Sequence, residues 1–184
     1  TRSGNGLPYA APHNAFRCKR LEGDPNDVAF ERWIAIACFT DDEWRALVQA
    51  MGNPAWAQEE RFATLLGRKE HEAELEERNE WTSDKDAYEL MAVLQSRGVP
   101  AGVVQSAREM LDYDEHLKAR GYYVYLDHPE AGRTAYDGPP FVLSKTPGKL
   151  RWPAPLLGQH THQVCKEILG LSDEEIADLI VEQV

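Results

Sequence analysis

Apolar and polar positions divide the chain into short elements of two periods. Ala15-Phe16-Arg17-Cys18 and Trp33-Ile34-Ala35-Ile36-Ala37-Cys38 are rich in aromatic and β-branched residues and read as two strands. Gly23, Asp24, Pro25, Asn26 and Asp27 make the segment between them polar and turn-rich, so a hairpin with a long loop is the simplest joining. Thr40-Asp41-Asp42-Glu43 has the form of a capping box, in which hydroxyl and carboxylate each satisfy an orphan backbone donor. Trp44, Leu47, Val48 and Met51 then recur at helical spacing, and Gly52 and Pro54 stop the helix.

From Trp56 to Trp81 charges dominate. Arg68 to Arg78 interleaves signs at three- and four-residue intervals, the pattern of a helix with a solvated face. Ala87, Leu90, Met91 and Leu94 form the buried stripe of a helix from about Asp84 to Arg97, with Ser83 as its N-cap. Gly98 suits the left-handed residue that ends a helix, Pro100 cannot continue one, and Ala101 to Val104 launch an extended segment. Ser106 and Glu109 form a second capping box, and Asp114 caps a further turn that Gly121 closes.

Tyr122 to Leu126 and Arg133 to Tyr136 read as paired strands around a turn at His128 to Gly132, with Phe141-Val142-Leu143 as a further short strand. Three prolines exclude a helix or central strand from Pro147 to Pro155, leaving an extended connector. Two helices finish the chain, Thr161 to Leu169 and one capped by Ser172 with Glu175. The expected fold class is α/β, specifically α+β: a small sheet of antiparallel hairpins with several packed helices, then an extended segment and two helices.

The 184 residues suit one domain or one and a fraction. A net charge of -11 excludes nucleic acid and anionic membranes as expected partners, because both need clustered Lys and Arg. No apolar run approaches the ~20 residues of a membrane span. Cys18, Cys38 and Cys165, odd in number and far apart, read as reduced thiols in a cytoplasmic protein. The chain begins at Thr1 without methionine and reads as a piece of something longer.

Chemistry is sparse. His160, His162 and Cys165 lack a fourth zinc ligand, and residues 160 and 162 point to different sides of a helix, so polar helix-start residues are the preferred reading. Asp112, Asp114, Glu115 and His116 are explained by helix caps. No metal is expected. No Gly-x-Ser-x-Gly elbow, Walker loop or Gly-x-Gly-x-x-Gly after a strand occurs. Gly4 and Gly6, in the loop from Thr1 to Tyr9, would let backbone N–H groups approach an anion or carbonyl oxygen; a frayed terminus is the competing reading. The chain displays no self-sufficient active site.

The order of its segments is nevertheless distinctive. Arg61-Phe62-Ala63-Thr64 with Arg68, Arg97-Gly98-Val99-Pro100-Ala101-Gly102-Val103-Val104, Leu117-Lys118-Ala119-Arg120-Gly121, Pro155-Leu156-Leu157-Gly158-Gln159-His160-Thr161 and Ile168-Leu169-Gly170-Leu171-Ser172 together resemble the C-terminal half of the family III (CaiB/BaiF) CoA-transferases. The resemblance implies that residues 1–136 are the smaller α/β domain. It implies that residues 137–184 pack back onto a large Rossmann-like domain outside this chain. That domain supplies most of the CoA site and a catalytic aspartate, which forms mixed anhydrides and a CoA thioester in turn; none of Asp41, Asp42, Asp84, Asp112 or Asp137 takes that role. The implied substrates are an acyl-CoA and a carboxylic acid, with coenzyme A as substrate rather than bound cofactor, and the implied assembly is a homodimer of intact chains.

In the formyl-CoA transferase branch a glycine-rich loop covers the acyl intermediate. Here Ser3-Gly4-Asn5-Gly6-Leu7-Pro8 holds that place, with Gly4, Asn5 and Gly6 as the candidate substrate-binding residues. The unbroken glycine run is missing, which disfavours formyl and oxalyl substrates. An α-methylacyl-CoA racemase of the same family and a non-catalytic α/β interaction module are the alternatives.

Overall fold

The computed structural model describes residues 4–182, apart from the side chain of Asn79. The chain forms two compact units, Thr1–Gln105 and Ser106–Val184. Both are mixtures of helices and small antiparallel sheets, so the fold class is α+β as expected.

In the first unit β1 (His13–Cys18) and β2 (Arg32–Ala37) form the long-looped hairpin, with Phe16 opposite Ile34 and Ala15 opposite Ala35. The extended segment after Pro100 becomes β3 (Ala101–Val103), which pairs antiparallel with β2 and places Gly102 opposite Ala35. One sheet face therefore carries Phe16, Cys18, Ile34 and Ile36, all buried, because alternate residues point to opposite faces.

Four helices complete this unit: α1 (Asp41–Ala50), α2 (Leu65–Glu70), α3 (Glu72–Arg78) and α4 (Ala87–Ser96). The capping box at Thr40 is complete, since Thr40 Oγ1 accepts from the Glu43 amide and Glu43 Oε2 accepts from the Thr40 amide. Trp44, Leu47 and Val48 face inward as the periodicity requires. Trp44, Trp56 and Phe62 form an aromatic cluster with ring centres 6.0–6.4 Å apart. Gly98 takes the left-handed conformation (φ 78°) that turns the chain from α4 into β3.

The second unit contains α5 (Ala107–Asp112), α6 (Glu115–Ala119) and the two-stranded ribbon of β4 (Tyr123–His128) and β5 (Gly132–Asp137). The ribbon thus lies within the second of these compact units. A connector without regular structure leads to α7 (Thr161–Gln163), which continues as a π-helix over Val164–Ile168, and then to α8 (Asp173–Val181). Capping boxes at Ser106 and Ser172 are both formed, and Asp114 caps α6. No described helix is long and apolar enough to cross a membrane.

Three expectations need correction. Phe141-Val142-Leu143 is not a strand; all three residues are exposed, and Pro139 and Pro140 just before them lack ladder donors. The cap of α4 is Asp86 rather than Ser83, because Asp86 Oδ1 accepts from the Tyr88 and Glu89 amides at 2.9 and 3.0 Å. Residues 82–85 are occupied by a turn whose Lys85 carbonyl accepts from Lys19 N–H at 2.8 Å.

The third correction concerns Arg68. Its neighbours do pair on the surface, Glu74 taking a two-pronged hydrogen bond from Arg61 at 2.7 and 2.8 Å. Arg68 itself is wholly buried. Its Nε donates to the Ala11 carbonyl at 2.8 Å, Nη1 to the Phe62 carbonyl at 3.1 Å and Nη2 to Asp41 Oδ1 at 2.9 Å. The guanidinium also lies 5.5 Å from the centre of the Trp44 ring. Burial draws its pKa down, while the Asp41 carboxylate raises it through a hydrogen bond and its charge.

Truncation of Arg68 strands buried carbonyls and leaves a void. Arg68→Ala is expected to lower unfolding stability by about 3–5 kcal/mol, the range for breaking a buried ionic network. Arg68→Lys recovers only part, since an ammonium cannot reproduce the fork. Urea titration followed by tryptophan fluorescence checks both values.

A methyl group at Gly67 would sit 2.1 Å from the Arg61 carbonyl oxygen, whereas one at Gly102 meets nothing. In the same titration Gly67→Ala is expected to cost about 1–3 kcal/mol, as for other overpacked sites, and Gly102→Ala far less.

Burial, with Asp86 adding to it, pushes the Cys18 thiol up to about 11. Burial pushes Cys38 up to about 12, with Arg68 opposing and Glu43 reinforcing the rise. Iodoacetamide at pH 8 should therefore alkylate half-buried Cys165 in the folded chain and reach Cys18 and Cys38 only after denaturation, as read by peptide mass spectrometry.

Candidate functional site

The core uses one face of the β1–β2–β3 sheet; the other face carries the Arg17 guanidinium over the Trp33 ring at one end and small residues at its centre. Ala15, Ala35 and Gly102 stand side by side across the three strands. Alanine and glycine are poor strand formers, and such a floor brings the backbone within reach of whatever lies over it. A cavity of about 440 Å³ occupies this position, bounded by Asn5, His13, Phe39 and Pro100.

The loop before β1 forms one wall. Gly4 and Asn5 are exposed and Gly6 is half-buried, while Ser3 lies outside the described residues. Gly4 has a left-handed backbone (φ 60°), and a bridge between Leu7 and Ala10 closes the turn that contains Pro8 and Tyr9. Of the three expected substrate-binding residues, the structure brings Asn5 onto the cavity.

Asn5 is held by two adjacent residues of β1. Its carbonyl oxygen lies 2.5 Å from His13 Nδ1, and its side-chain Nδ2 donates to Asn14 Oδ1 at 2.7 Å. His13 meets Phe39 edge to face with ring centres 6.3 Å apart, and Tyr9 stacks on the same Phe39 at 6.4 Å. The Phe39 amide donates to Glu43 Oε2 at 2.6 Å, which ties this aromatic wall to the cap of α1.

His13, Asn14 and Phe39 were not legible as site residues. Their one signal was a polar His-Asn pair opening an apolar strand a few residues after the glycine loop, and nothing local reports the cross-strand position of Phe39.

Among the described residues no Asp, Glu, Lys, Arg or Cys lines the cavity. The arrangement can hold an apolar or neutral group against this floor, and among the described residues it offers no carboxylate or thiolate to attack an acyl carbon. The five aspartates considered above are placed accordingly. Asp41 is committed to Arg68, Asp42 pairs with Arg45, Asp84 with Lys85 and Asp112 with Arg108, while Asp137 ends β5.

His160, His162 and Cys165, weighed above against zinc, are placed as follows. His160 caps α7, and His162 Nε2 lies 3.2 Å from Asp173 Oδ1, which also accepts from Lys166 at 2.7 Å. Among the described residues no group of three His, Cys, Asp or Glu side chains is placed to hold a metal ion.

Comparison with known proteins agrees on one family. A family model described as CoA-transferase family III matches residues 1–161. Succinyl-CoA–D-citramalate CoA-transferase of Chloroflexus aurantiacus is 35% identical over 100% of this chain, which covers 43% of that protein. Formyl-CoA:oxalate CoA-transferase of Bradyrhizobium diazoefficiens is 32% identical over 97% of this chain, covering 40% of it.

Among solved structures, a CAIB/BAIF family protein from Brucella suis aligns with a TM-score of 0.56 and 29% identity over 90% of this chain and 40% of its own. A Mycobacterium tuberculosis protein shares the fold, with a TM-score of 0.62 and 20% identity over 83% of this chain and 40% of its own. The chain thus spans about two fifths of the length of these relatives. On the family match over residues 1–161 and identity sustained along its whole length, the chain belongs to CoA-transferase family III.

Proposed function

We propose that this chain is the smaller domain and C-terminal segment of an enzyme that moves coenzyme A from an acyl-CoA to a second carboxylic acid. The carrying observation is the match to curated CoA-transferases over 97% or more of the chain, combined with a cavity that has no nucleophile among its described lining residues. Catalysis in this reading belongs to an aspartate outside residues 1–184.

The aspartate carboxylate attacks the thioester carbonyl carbon, breaking the C–S bond and giving a mixed anhydride and CoA thiolate. The thiolate attacks the aspartyl carbonyl, releasing the donor acid as carboxylate and leaving an aspartyl-CoA thioester. The acceptor carboxylate attacks that thioester, forming a second anhydride and freeing the thiolate again. Attack of the thiolate on the acceptor's acyl carbon yields the new acyl-CoA and restores the aspartate. Every step exchanges one acyl bond for another, so no external energy source is required.

This chain contributes a cover and a docking segment. Gly4, Asn5 and Gly6 form the loop over the intermediate, its two glycines adding no side-chain bulk, and exclusion of water there protects the anhydride. In the second unit Phe141, Val142, Leu143, Trp152 and Leu157 are all exposed, Trp152 by 81%. Apolar exposure of this extent marks a surface meant to be covered. The large domain of the intact enzyme is its occupant in this reading, with homodimerisation of the intact enzyme as the accompanying expectation.

The test is peptide mapping of the family-length enzyme incubated with succinyl-CoA and then quenched. The expected result is a CoA adduct on one aspartate outside this chain, and a double variant Asp84→Asn, Asp137→Asn that keeps the adduct. An adduct on any residue from 1 to 184, or proton exchange at the α-carbon without CoA transfer, contradicts the reading.

A further inference from the structure

We propose that His13 is the latch of the loop: a positioning residue whose imidazole holds Asn5 against the mouth of the cavity. The inference rests on the reading of residues 4–6 as a cover. A carbonyl oxygen only accepts, so the 2.5 Å contact with Asn5 requires the proton of the His13 ring to sit on Nδ1. The side chain of the same Asn5 donates to Asn14 Oδ1, whose oxygen also accepts from the Ala15 amide at 2.8 Å. Backbone and side chain of one loop residue are thus tied to two consecutive residues of a strand.

The anchor is packed and the bonds to it are exposed. The His13 ring is oriented by Phe39, and His13 stands opposite Ala37 in the sheet. Both Asn5 bonds are exposed to solvent. Such bonds exchange readily with water, so the loop can lift at Asn5 while the bridge between Leu7 and Ala10 remains as its pivot. A cover that must open for substrate and close over an anhydride requires this balance. The cavity is where the two meet, since Asn5 and His13 both line it.

Two experiments test the latch. In nitrogen-15 NMR of the chain, His13 should appear as the Nδ1–H tautomer. Heteronuclear NOE values at Asn5 and Gly6 should fall in His13→Ala and return toward wild type in His13→Gln, whose amide can donate to the same carbonyl. An Nε2–H tautomer, or unchanged loop order in His13→Ala, overturns the proposal.

In the family-length enzyme, His13→Ala should raise the ratio of thioester hydrolysis to CoA transfer about fivefold, the scale of one hydrogen bond, with recovery in His13→Gln. A Gly4→Ala, Gly6→Ala variant assayed alongside separates the two claims. If it moves the ratio and His13→Ala does not, the latch is wrong and the cover stands. If neither moves the ratio, the cover reading fails and the latch with it. A shift in His13→Ala that His13→Gln does not repair also overturns the latch, by showing that the imidazole acts on substrate instead.

Discussion

One guanidinium holds the first unit together. Arg68 reaches from α2 to three places far apart in sequence: the segment entering β1 at Ala11, the start of α1 at Asp41, and the turn at Phe62. Burying a charge is costly, and the cost is met here by backbone carbonyls and one carboxylate arranged around a fork of fixed geometry. Asp41 serves two purposes, since an acid in the first turn of a helix also complements the helix dipole. Without it the arginine would place a positive charge beside the positive end of α1.

The functional consequence runs through Ala11. Ala10 and Ala11 are fully buried, and the Ala11 amide donates to the Cys38 carbonyl at 2.9 Å while its own carbonyl accepts from Arg68. The glycine loop leads into this hydrogen-bonded point. The same network sets Phe39, one residue beyond Cys38, as the wall on which Tyr9 and His13 rest. Scaffold and glycine loop therefore share one set of constraints.

Much of the scaffold was legible because its signals are local. A capping box spans four residues, and the boxes at Thr40, Ser106 and Ser172 all form. The first hairpin announced itself by aromatic and β-branched runs around a turn-rich loop, the second by two strand-like runs around the turn at His128 to Gly132, and Gly98 by the helix it ends. What escaped depends on distance along the chain. Arg68 sits in a charged run that resembles a solvated face, and its identity as a core residue is decided by partners as far as 57 positions away. The short apolar run at Phe141 misled in the other direction, because composition favoured a strand where neighbouring prolines deny it a ladder. The candidate site was half visible: glycines mark the loop, but the imidazole and the aromatic wall that receive it are brought together only by strand register.

In the proposed reading, a glycine loop and a small-sided floor, with no nucleophile among the described lining residues, need the reacting group to arrive from another part of the enzyme. The most direct measurement is a crystal structure of the family-length protein with a non-hydrolysable CoA thioester analogue. The account predicts the analogue's acyl carbon beneath the loop of residues 4–8, on the Ala15–Ala35–Gly102 floor, facing an aspartate that lies outside this chain. An analogue seated away from that loop, or facing an aspartate between residues 1 and 184, would contradict it.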